Sequence, residues 1–161
     1  MKLAVSLTFL AACLTCAGCP RKQIDLTEQN FVESDGLAVG IELPKREFLT
    51  GEVFETTVYA VNKTREPIAI EATTGAQVYL RIWRKTVVGW DEVKRYPQAA
   101  VLVMTPWQVA PRETRRFTMR LTVEPDWPTH EPLRITAELN GRPAISPGMI
   151  IRVTPSAKIE K

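Results

Sequence analysis

Residues 116–124 read "RFTMRLTVE", and this stretch decides the fold. Phe117, Met119, Leu121 and Val123 fall on one side of an extended chain, and Arg116, Thr118, Arg120 and Thr122 on the other. Successive side chains of a strand point to opposite faces, so a period of two predicts a strand with one buried and one wet face. The same period recurs outward in both directions. Leu37, Val39, Ile41 and Leu43 alternate with small or polar residues; Phe54, Thr56, Val58 and Ala60 oppose Val53, Tyr59 and Val61. Ile68 and Ile70 make a short strand. Val78, Leu80 and Ile82 alternate with Tyr79, Arg81 and Trp83, and Leu133, Ile135, Ala137 and Leu139 precede a last run of Met149, Ile151 and Val153.

Turn residues separate the runs: Thr50-Gly51, Asn62-Lys63-Thr64, Thr74-Gly75, Ala110-Pro111, Pro125-Asp126, Asn140-Gly141 and Pro147-Gly148. No stretch has a convincing helical period, and twelve prolines discourage helices. The pattern predicts an all-β, immunoglobulin-like antiparallel sandwich of about seven to nine strands. Composition agrees with one globular domain, with 45% hydrophobic and 24% charged residues. The net charge of +3 is too small and scattered to argue for nucleic acid.

Two stretches resemble known sandwiches. "FLTGEVFETTVYAVNKTREPIAI" and "VAPRETRRFTMRL" are similar to the strand–turn–strand openings and later Pro-x-Glu turns of bacterial immunoglobulin-like domains. "VVGWDEV" resembles the hairpin of the intracellular proteinase inhibitor (BsuPI-like) family, although Gly89 and Trp90 are adjacent here rather than spaced. The resemblance implies the sandwich fold and offers inhibition as a second function. Its candidate loop is Val93–Val101 ("VKRYPQAAV"), with Arg95 and Tyr96 as contact residues.

All three cysteines lie in "CLTCAGCPRK", residues 13–22. Met1-Lys2 is a positive start. The uncharged run Leu3–Ala12 that follows is too short to cross a bilayer, which takes about 20 apolar residues, and has the form of a secretory signal. Ala17-Gly18-Cys19 resembles the end of a bacterial lipoprotein signal. Membership in that class implies cleavage before Cys19 and acyl chains of the palmitate type on that residue. Cys16 stands where such signals usually carry Leu, and Leu10-Ala11-Ala12-Cys13 matches the motif residue by residue, so Cys13 is the alternative attachment site. An ordinary secretory signal with incidental cysteines is the other reading. By the same resemblance, Pro20 rather than Asp after the cut favours the outer membrane in a Gram-negative cell. The expected organisation is a signal over 1–18, a lipidated tether over 19–36 with a first strand around Ile24–Thr27, the sandwich over 37–154 and a tail over 155–161.

Catalytic chemistry has little to work with. Removal of 1–18 leaves Cys19 alone and capped, so no disulfide, thiolate nucleophile or cysteine metal site is expected. His130 is the only histidine, and no serine stands in a nucleophile-elbow pattern. "EPDWPTHEP" gathers Glu124, Asp126, His130 and Glu131, but at a spacing that fits a solvated turn better than a metal loop. Asn62-Lys63-Thr64 forms a glycosylation sequon that also fits a hairpin turn. Trp83 is expected inward. Trp90, Trp107 and Trp127 lie near predicted turns, and with Arg95 and Tyr96 they are the candidate partner contacts, tryptophan being enriched at binding hot spots. Arg81, Arg116, Arg120, Arg134 and Arg152 occupy wet positions beside Glu42, Glu55, Glu71 and Glu138, where cross-strand pairing is expected. The sequence thus predicts a non-enzymatic, cofactor-free envelope module, held to a membrane by its N-terminal lipid and binding an envelope protein or polymer through its loop ends.

Overall fold

Each alternating run after residue 31 is a strand in the computed structural model, which describes residues 31–142 and 144–156. There are eleven strands among these residues: β1 (Phe31–Ser34), β2 (Leu37–Glu42), β3 (Glu47–Leu49), β4 (Val53–Asn62), β5 (Ile68–Ala72), β6 (Val78–Lys85), β7 (Trp90–Tyr96), β8 (Thr105–Val109), β9 (Thr114–Thr122), β10 (Pro132–Leu139) and β11 (Met149–Thr154). They form a sheet of order β1-β2-β4-β9, a sheet of order β3-β11-β10-β6-β7 and a two-stranded ribbon β5-β8. Every pairing is antiparallel except β3 with β11. The fold is an all-β sandwich.

The register of "RFTMRLTVE" is the one its alternation demands. Leu121 lies opposite Phe54, Met119 opposite Thr56 and Phe117 opposite Val58, all on the inner face. The second sheet answers with Val78, Leu80 and Ile82, with Leu133, Ile135, Ala137 and Leu139, and with Ile151 and Val153, all buried. Phe48 and Phe54 join the two layers with ring centroids 4.3 Å apart. At about 1.5–3 kcal/mol per fully buried large apolar side chain, this continuous core is the main source of stability.

The strands beyond the alternating runs are β1, β3, β7 and β8. β1 moves the domain boundary: Phe31–Ser34 pairs with β2 and belongs to the sandwich rather than to the tether. The strand expected around Ile24–Thr27 lies outside the described residues, as do the signal, Cys13 and Cys19.

Candidate partner-binding ends of the sandwich

The two ends of the five-stranded sheet carry different side chains. At one end β6 finishes and β10 begins, with Arg84 opposite Leu133. The hairpin from β6 to β7 projects there, closed by a hydrogen bond from Thr86 N–H to the Gly89 carbonyl at 2.9 Å. Gly89 has φ of 154°, a conformation side-chain-bearing residues rarely adopt. The Thr50-Gly51 turn joins the same end to the four-stranded sheet: Thr50 N–H donates to Thr154 O and Gly51 N–H to Val123 O.

At the opposite end β6 begins and β10 finishes. Asn140 is the clamp here. Its amide nitrogen donates to Thr74 Oγ1 and to the Ala76 carbonyl, each at 2.8 Å, and its oxygen accepts from Thr73 Oγ1 at 3.0 Å. Against this clamp lies the connection from β7 to β8. Gly75 N–H donates to Val101 O at 2.9 Å, and Val103 N–H reaches back to the same carbonyl at 2.9 Å. The backbone is fixed, yet Val101, Leu102, Val103 and Met104 are 73%, 85%, 52% and 69% exposed. A run of three or four exposed consecutive apolar residues is a fault in a monomer unless it is used.

The five residues proposed from sequence as contacts do not converge. Trp107 lies within β8 and Trp127 in the link from β9 to β10, and both are buried. Trp107 meets Phe117 edge-on at 5.5 Å with the Arg115 guanidinium over its ring. Trp127 donates from Nε1 to Tyr96 Oη at 3.0 Å. These two rings belong to the core and are not offered to a partner. Tyr96 shares the inner side of its strand with Lys94, which ion-pairs with Glu124 at 2.8 Å and Asp126 at 2.6 Å. Those hydrogen bonds hold the ammonium of Lys94 well above its ordinary range, so two carboxylates of "EPDWPTHEP" serve as a latch on β7. Burial raises the Tyr96 hydroxyl above its ordinary value.

Arg95 points to the other side of β7. Its Nε donates to Glu92 Oε1 at 3.0 Å, and its guanidinium lies over the Tyr79 ring at 5.8 Å. Arg81 pairs with Glu92 and Glu138. Trp83, expected inward, faces outward: Ile82 takes the core position, and the Trp83 indole donates to Thr136 Oγ1 at 2.9 Å. Trp90 is the first residue of β7, with the Arg134 guanidinium 5.8 Å over its ring. Arg134 itself rides over Gly148, where an added Cβ would collide with its Nε.

The exposed loop is shorter and later than expected. Val93–Tyr96 is strand, and the segment free of regular pairing runs from residue 97 to 104. The candidate loop stops at Val101 and leaves out Leu102–Met104, although an unbroken apolar run between Pro97 and Pro106 with no period of two is the available signal. Asn62 of the sequon is buried, giving its amide to Glu66 O at 2.7 Å and Val109 O at 3.0 Å. Among the described residues, no group of three or more His, Cys, Asp or Glu is arranged to hold a metal ion, and no helix is long and apolar enough to cross a membrane.

No family model matches the chain, and no curated protein is significantly similar to it. Solved structures are. The sporulation control protein of Bacillus subtilis is 18% identical over 74% of this chain and 50% of its own, with a TM-score of 0.50. An alkylpurine DNA glycosylase of Pseudomonas fluorescens is 10% identical over 73% of this chain and 30% of its own, at 0.49. The CARDB domain of a Pyrococcus furiosus protein is 15% identical over 74% of this chain and 94% of its own, at 0.41. The chain therefore spans half the length of the sporulation protein and under a third of the glycosylase. The likeness to the sporulation protein, at this identity, is one of fold alone.

Proposed function

We propose that this protein is a lipid-anchored module of the cell envelope, and that it binds an envelope protein or polymer through the end of its sandwich that bears Val101–Met104. The observation that carries the reading is that run of four exposed apolar side chains on a hydrogen-bonded backbone. A fixed backbone lowers the entropy lost on association, and apolar side chains already in water gain on being covered. Anchoring is supported by the Ala17-Gly18-Cys19 motif after a short apolar run. The reading assigns the chain no catalytic step and no cofactor.

A photo-crosslinking amino acid at Leu102, introduced in intact cells, tests the binding end. It should capture one defined partner, whereas the same group at Thr118 on the wet face of β9 should not. Leu102→Asp with Val103→Asp should abolish co-purification of that partner while leaving the thermal melt of the domain unchanged. Unchanged co-purification would sink the reading. A proteinase-inhibiting role for Val93–Val101 would have to act through residues 97–101, since the preceding four are strand. Inhibition of a serine or cysteine proteinase by the purified protein, lost in a Pro97–Val101 deletion, would favour that alternative.

A further inference from the structure

β9 ends the order of its four-stranded sheet, so among the described residues one of its edges has no neighbouring strand. We propose that this edge takes up an extended acidic segment of another protein as an additional strand. The surface is separate from the Val101–Met104 end, its occupant is a different protein from the one expected there, and the inference does not rest on that reading.

Hydrogen bonding fixes which groups face outward. Asn62 N–H donates to Glu113 O at one end of the β4–β9 pair, and Val123 N–H to Glu52 O at the other. Bonded residues alternate in an antiparallel ladder, so the odd-numbered residues of β9 face β4. The N–H and C=O groups of Thr114, Arg116, Thr118, Arg120 and Thr122 therefore point away from it. Such a row is matched by another extended backbone, which pairs with it group for group. The other outer strands are guarded. β1 has four residues and β3 three, and the strands of the β5–β8 ribbon have five each, with Pro106 in β8. β7 slips in register against β6, and its Lys94 is latched to Glu124 and Asp126. β9 has nine residues, no proline and an unbroken register from Val53–Thr122 to Val61–Thr114.

The side chains specify the strand that fits. Arg116, Thr118 and Arg120 are exposed on the outer face. On the inner face Phe117 and Met119 are only partly buried, although Val58 and Thr56 opposite them on β4 are buried. A five-residue segment laid along the edge would set its first and fifth side chains against Arg116 and Arg120, and its second and fourth over Phe117 and Met119. β9 contains three arginines and no carboxylate. Acidic groups flank it: Glu55 lies opposite Arg120 on β4, on the side away from the free edge; Glu113 accepts from Ala110 N–H; Glu124 is held by Lys94. Arg115 is engaged with Gln108 O and the Trp107 ring. Carboxylates at the outer positions with apolar residues between them complement this edge. A second copy does not, since the antiparallel pairing that uses all nine residues sets Arg116 of each copy opposite Arg120 of the other, and like charges directly opposite are destabilising.

The test titrates the full chain into a dye-labelled peptide with the core Glu-Val-Thr-Val-Glu, with a Lys-Val-Thr-Val-Lys peptide for comparison, and follows the protein's backbone amides by hydrogen exchange. The acidic peptide should bind about tenfold more tightly than the basic one, by a margin that shrinks in high salt. It should slow exchange at Arg116, Thr118 and Arg120. Arg116→Glu with Arg120→Glu should reverse the preference. Thr118→Pro, which removes an N–H that β4 does not use, should abolish binding, and retained binding in this variant overturns the proposal. Three results on the parent protein overturn it whether or not a variant folds: equal affinity for the two peptides, no binding of the acidic one, or protection that misses residues 116–120. Protection of the same amides that grows with protein concentration in the absence of peptide marks a second copy on the edge and also overturns it.

Discussion

Tyr59 lies on the outer face of β4 and is buried all the same. Phe31 stands against its ring at 6.4 Å, the Arg116 guanidinium covers it at 5.7 Å, and its hydroxyl donates to Glu42 Oε2 at 2.5 Å. Burial, with the Glu42 hydrogen bond second, pushes its hydroxyl up from 10.0 to about 12. The folded state therefore holds this proton more tightly than the unfolded chain does. The corresponding stability is present below pH 10 and is lost as pH rises from 10 toward 12, about 2–3 kcal/mol in all. Urea midpoints at pH 9 and pH 11.5 should differ more for the parent than for Tyr59→Phe; an equal difference would contradict the assignment. At neutral pH the same variant should cost about 1 kcal/mol for the lost hydrogen bond. The strand register has its own test one strand away. Leu121→Ala, in the core, should cost about 2–5 kcal/mol, and Arg120→Ala, on the wet face, well under about 1 kcal/mol. Reversed costs would mean a register displaced by one residue.

Turns divide into those that only need a backbone angle and those that also need the space. Gly51 has φ of 85° and nothing within 4 Å of an added Cβ. Gly141 has φ of 89°, and an added Cβ would stand 2.2 Å from the Glu71 carbonyl oxygen, a backbone atom that cannot step aside. Gly51→Ala should cost about 1–2 kcal/mol for the left-handed conformation alone. Gly141→Ala should cost clearly more, since β5 must move away from the end of β10; equal denaturation midpoints for the two variants would refute this. At this scale the sequence was readable wherever large apolar residues alternate with small or polar ones over six or more residues and was opaque elsewhere. β2, β4, β6, β9, β10 and β11 announce themselves by alternation. β7 does not, because it is an edge strand whose pairing with β6 slips between Ile82 and Trp83, and its outer positions carry Trp90, Glu92 and Arg95. β8 is five residues long with Pro106 second, and β3 has three residues. Asn62 and Asn140 were legible as turn residues but not as buried clamps, since that role depends on carbonyls brought in from Val109 and Ala76, distant in the chain.

For the molecule as a whole, the sandwich was foreseeable and the exposed apolar run Val101–Met104 was not. Tryptophans near turns seemed the natural contacts, yet a domain without disulfides has to fill its core with something, and Trp107 and Trp127 are spent there. The most exposed apolar side chains, at 87–88 and 101–104, lie on segments no periodicity marks. On the proposed anchoring, Cys19 decides location, because the two cations after it, Arg21 and Lys22, add only about 1 kcal/mol each near an anionic surface and lose that in high salt. Cys19→Ala should take the product out of the membrane fraction or leave an unprocessed precursor, while Cys13→Ala and Cys16→Ala leave the mature mass unchanged. Acyl chains found on Cys13 would reassign the anchor.

The place of β11 has a consequence for synthesis. It follows the other ten described strands in the chain, yet it lies between β3 and β10, with Val153 beside Phe48 and Ile151 beside Leu133. A nascent chain that has not yet emitted residue 149 holds two strand edges apart with nothing to bridge them, and loop closure across a hundred residues must wait. Until β11 has been made that sheet stays incomplete, and a product stopped short of β11 presents raw edges to its neighbours and should aggregate.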